Sequence, residues 1–81
     1  MTRLQRLVQV RRAVRQKIDS GEARRIRQHA NVSLEEIADE VGVTLDAVSK
    51  WERALRYPGD EYATRYLKVL NRLAALIGAA A

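Results

Sequence analysis

Apolar residues recur along most of the chain at spacings of three and four, which is the period of an α-helix with one buried face. No segment alternates apolar and polar residues with the period of two that a strand would show. Glycine occurs four times and proline once, so few positions interrupt the helical pattern. The pattern predicts an all-α fold of short helices packed into one small bundle.

Helix-start signals divide this pattern into five predicted helices. A capping box, in which Ser or Thr is followed three residues later by Glu or Gln, marks the starts at Thr2 and Ser33. Gly42 is expected to end the third helix in the left-handed conformation that glycine adopts without steric cost. The predicted helices run from cap to last residue as Thr2 to Ile18, Asp19 to His29, Ser33 to Val41, Thr44 to Leu55 and Asp60 to Ile77.

The first predicted helix carries an apolar stripe that is expected to be buried. The stripe consists of Leu4, Leu7, Val8, Val10, Val14 and Ile18. Three interpretations of residues 2–18 stay open: packing on the rest of the domain or on a second copy, a basic arm that extends DNA contact, and an amphipathic helix on a membrane surface.

Composition and charge narrow the classes of function. A chain of 81 residues forms one domain, and without cysteine it holds no disulfide and no Cys-based zinc, haem or iron–sulfur site. With one histidine, no metal or other cofactor is expected. The net charge is +5, and residues 1–30 alone carry nine basic and two acidic side chains. This excess suggests a polyanionic partner, either nucleic acid or an anionic membrane surface. No apolar run is long enough to span a bilayer.

The third and fourth predicted helices have the form of a helix-turn-helix. Two helices that cross closely require a small residue on the first, and Ala38 supplies it. The turn requires a left-handed position, which Gly42 supplies. Val48 is expected to pin the second helix at the crossing.

The residues around this unit resemble the Cro/cI-type (XRE) helix-turn-helix family. The resemblance covers about residues 22–77, and its most specific part is the run Ser-Lys-Trp-Glu-Arg at positions 49–53. It implies a lambda-repressor-like bundle of about five helices that binds double-stranded DNA through the major groove, usually as a dimer on an inverted repeat. The extra N-terminal helix, residues 1–19, lies outside the minimal family domain. On this basis we assign residues 20–78 to the DNA-binding domain and expect residues 79–81 to form a frayed tail.

The resemblance also implies roles for individual residues. Arg27 and Glu52 match a buried pair that fastens the first helix of the family domain to the recognition helix. The implied DNA contacts on the recognition helix are Thr44, Leu45, Asp46, Ser49, Lys50 and Arg53. A helical wheel supports these contacts. Trp51 and Leu55 lie with Val48 on the side of the helix that faces the bundle, which leaves the opposite side free to contact DNA.

Three further arginines flank the implied contact surface, and we interpret Arg24, Arg25 and Arg56 as phosphate contacts. The sequence departs from the family pattern in three respects. Leu45 and Asp46 replace the commoner glutamine or serine on the recognition helix. Leu34 stands where glutamine is usual, so the second helix of the unit offers only backbone N–H groups to an anion. Ala54 replaces a usual glycine, and because alanine is costly at positive φ, the recognition helix is expected to continue through about Leu55.

These observations predict a small transcriptional regulator, a repressor or Cro-like protein of phage or bacterial origin, acting in the cytoplasm. No catalytic, nucleotide-binding or nucleophile motif occurs, so an enzyme is not expected. Double-stranded DNA is the expected partner, with no membrane and no small-molecule ligand. Two alternatives stay open: an antitoxin-like protein-interaction module and a DNA-bending excision factor.

Overall fold

Five α-helices make up the described part of the chain, and residues 1–80 contain no strand. The computed structural model describes the backbone of residues 1–80 and the side chains of residues 1–78. The predicted all-α fold is confirmed. The helices are α1 (Arg3–Asp19), α2 (Glu22–His29), α3 (Leu34–Val41), α4 (Leu45–Glu52) and α5 (Asp60–Ala80).

The capping boxes predicted at Thr2 and Ser33 form. The Ser33 hydroxyl accepts from the backbone N–H of Glu36 at 3.0 Å, and the Glu36 carboxylate accepts from the backbone N–H of Ser33 at the same distance. This bond to the Ser33 backbone lowers the pKa of Glu36. Thr2 and Gln5 form the same reciprocal pair at the start of α1. Gly42 ends α3 at a φ of 87°, as predicted.

Two predicted caps are wrong. Asp19 does not cap α2: it is the last residue of α1, and the cap position belongs to Gly21, at a φ of 79°. Asp60 does not stand ahead of α5 as its cap but is its first residue, and its carboxylate binds Arg11. In both cases the carboxylate that a local cap would use is hydrogen-bonded to a side chain elsewhere in the fold.

Helix α4 ends earlier than predicted. It stops at Glu52, and Ala54 adopts a φ of 58° instead of continuing the helix. The Leu55 N–H then donates to the Lys50 carbonyl at 2.9 Å, and the Ala54 N–H donates to the Trp51 carbonyl at 3.0 Å. This is the Schellman arrangement, which satisfies the last carbonyls of a helix. Leu55 is consequently 62% exposed, not buried as the helical wheel predicted.

Helix α5 runs further than predicted, because it continues through Ala80 instead of ending near Ile77. Residue 81 lies outside the described residues, and the frayed tail stays a prediction.

One core joins all five helices. Its buried members are Val14, Ile18, Ala23, Ile26, Ile37, Ala38, Val41, Val48, Trp51, Ala63, Tyr66 and Leu70. The Trp51 and Tyr66 rings lie 5.1 Å apart between centroids and pack at 47°. Because Val14 and Ile18 belong to this core, the C-terminal half of α1 packs on the domain, which is one of the three interpretations left open.

The N-terminal half of α1 does not follow the predicted stripe. Leu4 is 64% exposed and Val8 40% exposed. These two positions lie beyond the end of the core, because the residues that α1 buries completely, Val14 and Ile18, both fall in its last six residues. Leu4 and Val8 therefore do not pack into the core of this domain.

Candidate nucleic-acid interface

The helix-turn-helix unit has the geometry that its residues predict. Ala38 is 2% exposed where α3 packs against α4, and Val48 is fully buried at the same crossing. A small side chain lets the two helices approach, and the left-handed Gly42 reverses the chain between them. The unit therefore holds α4 with one side against the core and the other toward solvent.

Arg27 and Glu52 tie α2 to the end of α4. The Arg27 guanidinium donates to both carboxylate oxygens of Glu52, from Nε at 2.5 Å and from Nη2 at 2.9 Å. Its Nη1 donates to the Val32 carbonyl at 3.0 Å. The hydrogen bond to Glu52 raises the pKa of Arg27, against the effect of partial burial. This pair fixes α4 relative to α2.

The solvent side of α4 carries an ion pair that links its first turn to its last turn. Lys50 Nζ lies 2.9 Å from Asp46 Oδ2, one helical turn away. The side chains of Asp46 and Lys50 are 68% and 37% exposed, so both are accessible. The hydrogen bond and the charge of Lys50 lower the pKa of Asp46, and the charges of Arg53 and Arg56 act in the same direction. These four predicted contacts therefore form one electrostatic cluster.

The remaining predicted contacts of α4 surround this cluster. Thr44 is the N-cap, and its hydroxyl oxygen accepts from the Ala47 N–H at 3.2 Å, which leaves the hydroxyl hydrogen free to donate. Leu45 is 48% exposed at the first turn. Ser49 is half-buried, and Arg53 folds back so that its Nε donates to the Ser49 carbonyl at 3.3 Å.

Arg24 and Arg25 lie on different sides of α2. Arg24 precedes Arg27 by three residues, so it shares the flank of α2 that meets α4. Arg25 lies two residues before Arg27 and therefore points away from that flank. Its Nη1 donates to the Ser20 carbonyl at 3.2 Å, and its side chain lines a shallow groove with Ala74 and Ile77 of α5. Helical spacing therefore places Arg24, and not Arg25, on the flank of α2 that carries Arg27.

A set of contacts that the sequence did not indicate joins α1 to the segment between α4 and α5. Arg11 donates to both carboxylate oxygens of Asp60, at 2.7 and 2.6 Å, and this lowers the pKa of Asp60. The Tyr57 hydroxyl donates to Asp19 at 2.6 Å, and the Arg15 guanidinium lies 4.2 Å from the centre of the Tyr57 ring. These contacts restrain the segment that carries Arg56.

A metal-binding cluster and a membrane-spanning helix are both absent from the described residues. Residues 1–80 contain no cluster of His, Asp and Glu side chains arranged to hold a metal ion. None of the helices in that range combines the length and the apolar character needed to cross a membrane.

The fold and the exposed side of α4 define a small all-α helix-turn-helix protein. A family model described as Helix-turn-helix matches residues 24–76, which is more than half of the chain. The chain therefore belongs to this family, a Cro/cI-type (XRE) helix-turn-helix family, and is a DNA-binding regulator. No curated protein and no solved structure matched the chain in the corresponding searches. Helix α1 lies outside the residues that the family model matches.

Proposed function

We propose that this protein is a repressor or Cro-like transcriptional regulator that binds double-stranded DNA sequence-specifically. In this proposal α4 enters the major groove, and the side of the helix that carries Asp46 and Lys50 faces the base edges. The observation that carries the proposal is the division of α4 into two sides, with Val48 and Trp51 buried and the Asp46–Lys50 pair exposed. A helix lying in the major groove needs this division, because the side away from the DNA must be held by the domain.

Six of the predicted contacts then divide into two kinds. Lys50 donates to guanine O6 and N7, and the exposed Leu45 packs against a thymine methyl group. Thr44, Arg53, Arg56 and Arg24 contact phosphates and set the position of the helix on the duplex without reading sequence. Arg25 is not assigned a contact, because it lies on the other flank of α2.

The proposal is tested by comparing Lys50→Ala with Arg53→Ala on a duplex selected from a random pool. Lys50→Ala should lose about 1–3 kcal/mol on the selected site and relax the preference at one base position. Arg53→Ala should weaken binding to all sequences by a similar factor, because a phosphate contact carries no sequence information. Lys68→Ala on α5 removes the same charge from an exposed position outside this surface and is the matched control.

Two results would contradict the proposal. If Lys50→Ala weakens every site by the same factor, Lys50 only positions the helix. If the wild type bends DNA strongly and shows weak sequence preference, the protein is a DNA-bending accessory factor instead.

A further inference from the structure

We propose that Asp46 and Lys50 act as one unit that reads both bases of a single C·G pair. This inference rests on the proposed function, because it requires the exposed side of α4 to face the base edges. It adds a residue that determines specificity, Asp46, and names the base pair that the two side chains recognise together.

The ion pair leaves a definite set of hydrogen-bonding groups unused. Lys50 Nζ and Asp46 Oδ2 lie 2.9 Å apart. An ammonium group has three N–H donors and a carboxylate has two acceptor oxygens. With one donor and one oxygen engaged in the pair, two N–H groups of Lys50 and Oδ1 of Asp46 remain for the DNA.

The major-groove edge of a C·G pair offers the complementary set. Guanine presents two neighbouring acceptors, O6 and N7, and cytosine presents the N4 amino donor next to them. In an A·T pair the adenine N6 donor lies between the acceptors N7 and O4, so no two acceptors are adjacent. The two N–H groups of Lys50 and the free oxygen of Asp46 can therefore make three hydrogen bonds to a C·G pair, whereas the separated acceptors of an A·T pair allow two, so the pair favours C·G.

The negative charge of Asp46 makes this reading selective. Of the residues between positions 43 and 57, Asp46 and Glu52 are acidic, and Glu52 is held by Arg27 with a side chain that is 6% exposed. Asp46 thus brings a lone exposed carboxylate toward a polyanion. Repulsion between the phosphates and the Asp46 carboxylate acts at every DNA site. Asp46 increases the affinity only where a base donates a hydrogen bond to it. Because neighbouring cations lower its pKa, Asp46 keeps this charge at neutral pH.

The test combines protein variants with modified bases. The C·G pair is first located as the position whose preference Lys50→Ala relaxes. Duplexes are then made in which its cytosine is N4-methylcytosine, whose remaining N–H is used in base pairing, or its guanine is 7-deazaguanine, which lacks N7. Binding of the wild type, Asp46→Ala, Lys50→Ala and Asp39→Ala is measured on each duplex. Asp39 serves as the control because it is an exposed acid on α3.

The wild type and Asp39→Ala should lose about tenfold or more in affinity on N4-methylcytosine. Asp46→Ala should lose less than about twofold on the same duplex, because the group that accepts from N4 is already gone. On 7-deazaguanine the wild type and Asp39→Ala should lose affinity, and Lys50→Ala should lose little more than it has already lost on the unmodified site.

Failure of this inference is distinguishable from failure of the proposed function. If Asp46→Ala and the wild type lose the same factor on N4-methylcytosine, or if Lys50 reads a position that is not C·G, the joint reading is wrong while sequence-specific binding stands. If the wild type selects no sequence from the random pool, the proposed function itself is wrong.

Discussion

Removal of the Glu52 carboxylate should cost a large part of the stability of this domain. In Glu52→Ala the Arg27 guanidinium, whose side chain is 14% exposed, would keep only the Val32 carbonyl of its partners. A buried charge that loses its partner costs about 3–5 kcal/mol. A domain of 81 residues has a total stability of about 4–12 kcal/mol at the usual value per residue. The loss is therefore about a quarter of that total or more.

The assay is thermal and urea unfolding followed by circular dichroism. For a domain of this size each kcal/mol moves Tm by about 4–8 °C, so Glu52→Ala should melt at least about 12 °C below the parent. The matched control is Glu61→Ala, which removes a carboxylate from the exposed Arg65–Glu61 pair at 2.9 Å. Surface pairs contribute about 0–1 kcal/mol, so this control should melt within a few degrees of the parent.

A double variant separates pairing from packing. In Arg27→Met/Glu52→Leu both charges are replaced by apolar side chains of similar size, and such a replacement is often neutral or stabilising. The double variant should therefore be more stable than Glu52→Ala. If Glu52→Ala melts within a few degrees of the parent, the pair does not hold α2 and α4 together and the reasoning is refuted.

Two further substitutions test local features of the fold. Ala54→Gly should stabilise the domain by about 0.5–1 kcal/mol, because glycine adopts the positive φ of this position without steric cost. As a control, Ala47→Gly inside α4 should destabilise the domain by about 1 kcal/mol. A loss of stability in Ala54→Gly would contradict the left-handed turn. Tyr66→Phe should leave the stability unchanged or raise it in urea unfolding, because the buried Tyr66 hydroxyl has no hydrogen-bond partner among the described residues and such a group costs about 1–3 kcal/mol. Tyr57→Phe, which loses the bond to Asp19, should be destabilised, and a larger loss in Tyr66→Phe than in Tyr57→Phe would show that the Tyr66 hydroxyl is satisfied.

The features that could be predicted from the sequence are those with a local physical cause. The Ser33–Glu36 capping box lies within one turn of chain, and Gly42 satisfies a conformational need at its own position. The burial of Val48 and Trp51 follows from the helical period. The cluster on α4 could also be predicted, because Asp46 and Lys50 are one turn apart on the same helix.

The features that could not be predicted depend on residues far apart in the chain. Arg11 and Asp60 are separated by 49 positions, and nothing in the sequence near either residue indicates that the two form a pair. Ala54 was expected to stay helical because alanine disfavours positive φ. The hydrogen bonds that close the end of α4 outweigh that preference, and the turn leads into the segment whose Tyr57 hydroxyl binds Asp19. The Arg27–Glu52 pair was predicted from the family resemblance alone, because neither composition nor spacing indicates it.

The central claim, that the surface formed by α4 and the neighbouring flank of α2 binds DNA phosphates, is tested most directly by the salt dependence of binding. On a selected duplex, log K should fall linearly with log salt, with a slope of about −0.9 for each phosphate neutralised. Arg24→Ala should make that slope shallower by about one unit and leave the preferred sequence unchanged. Arg25→Ala removes the same charge from the opposite flank of α2 and should leave the slope as it is. A wild-type slope near zero, or an equal change of slope in the two variants, would contradict the account.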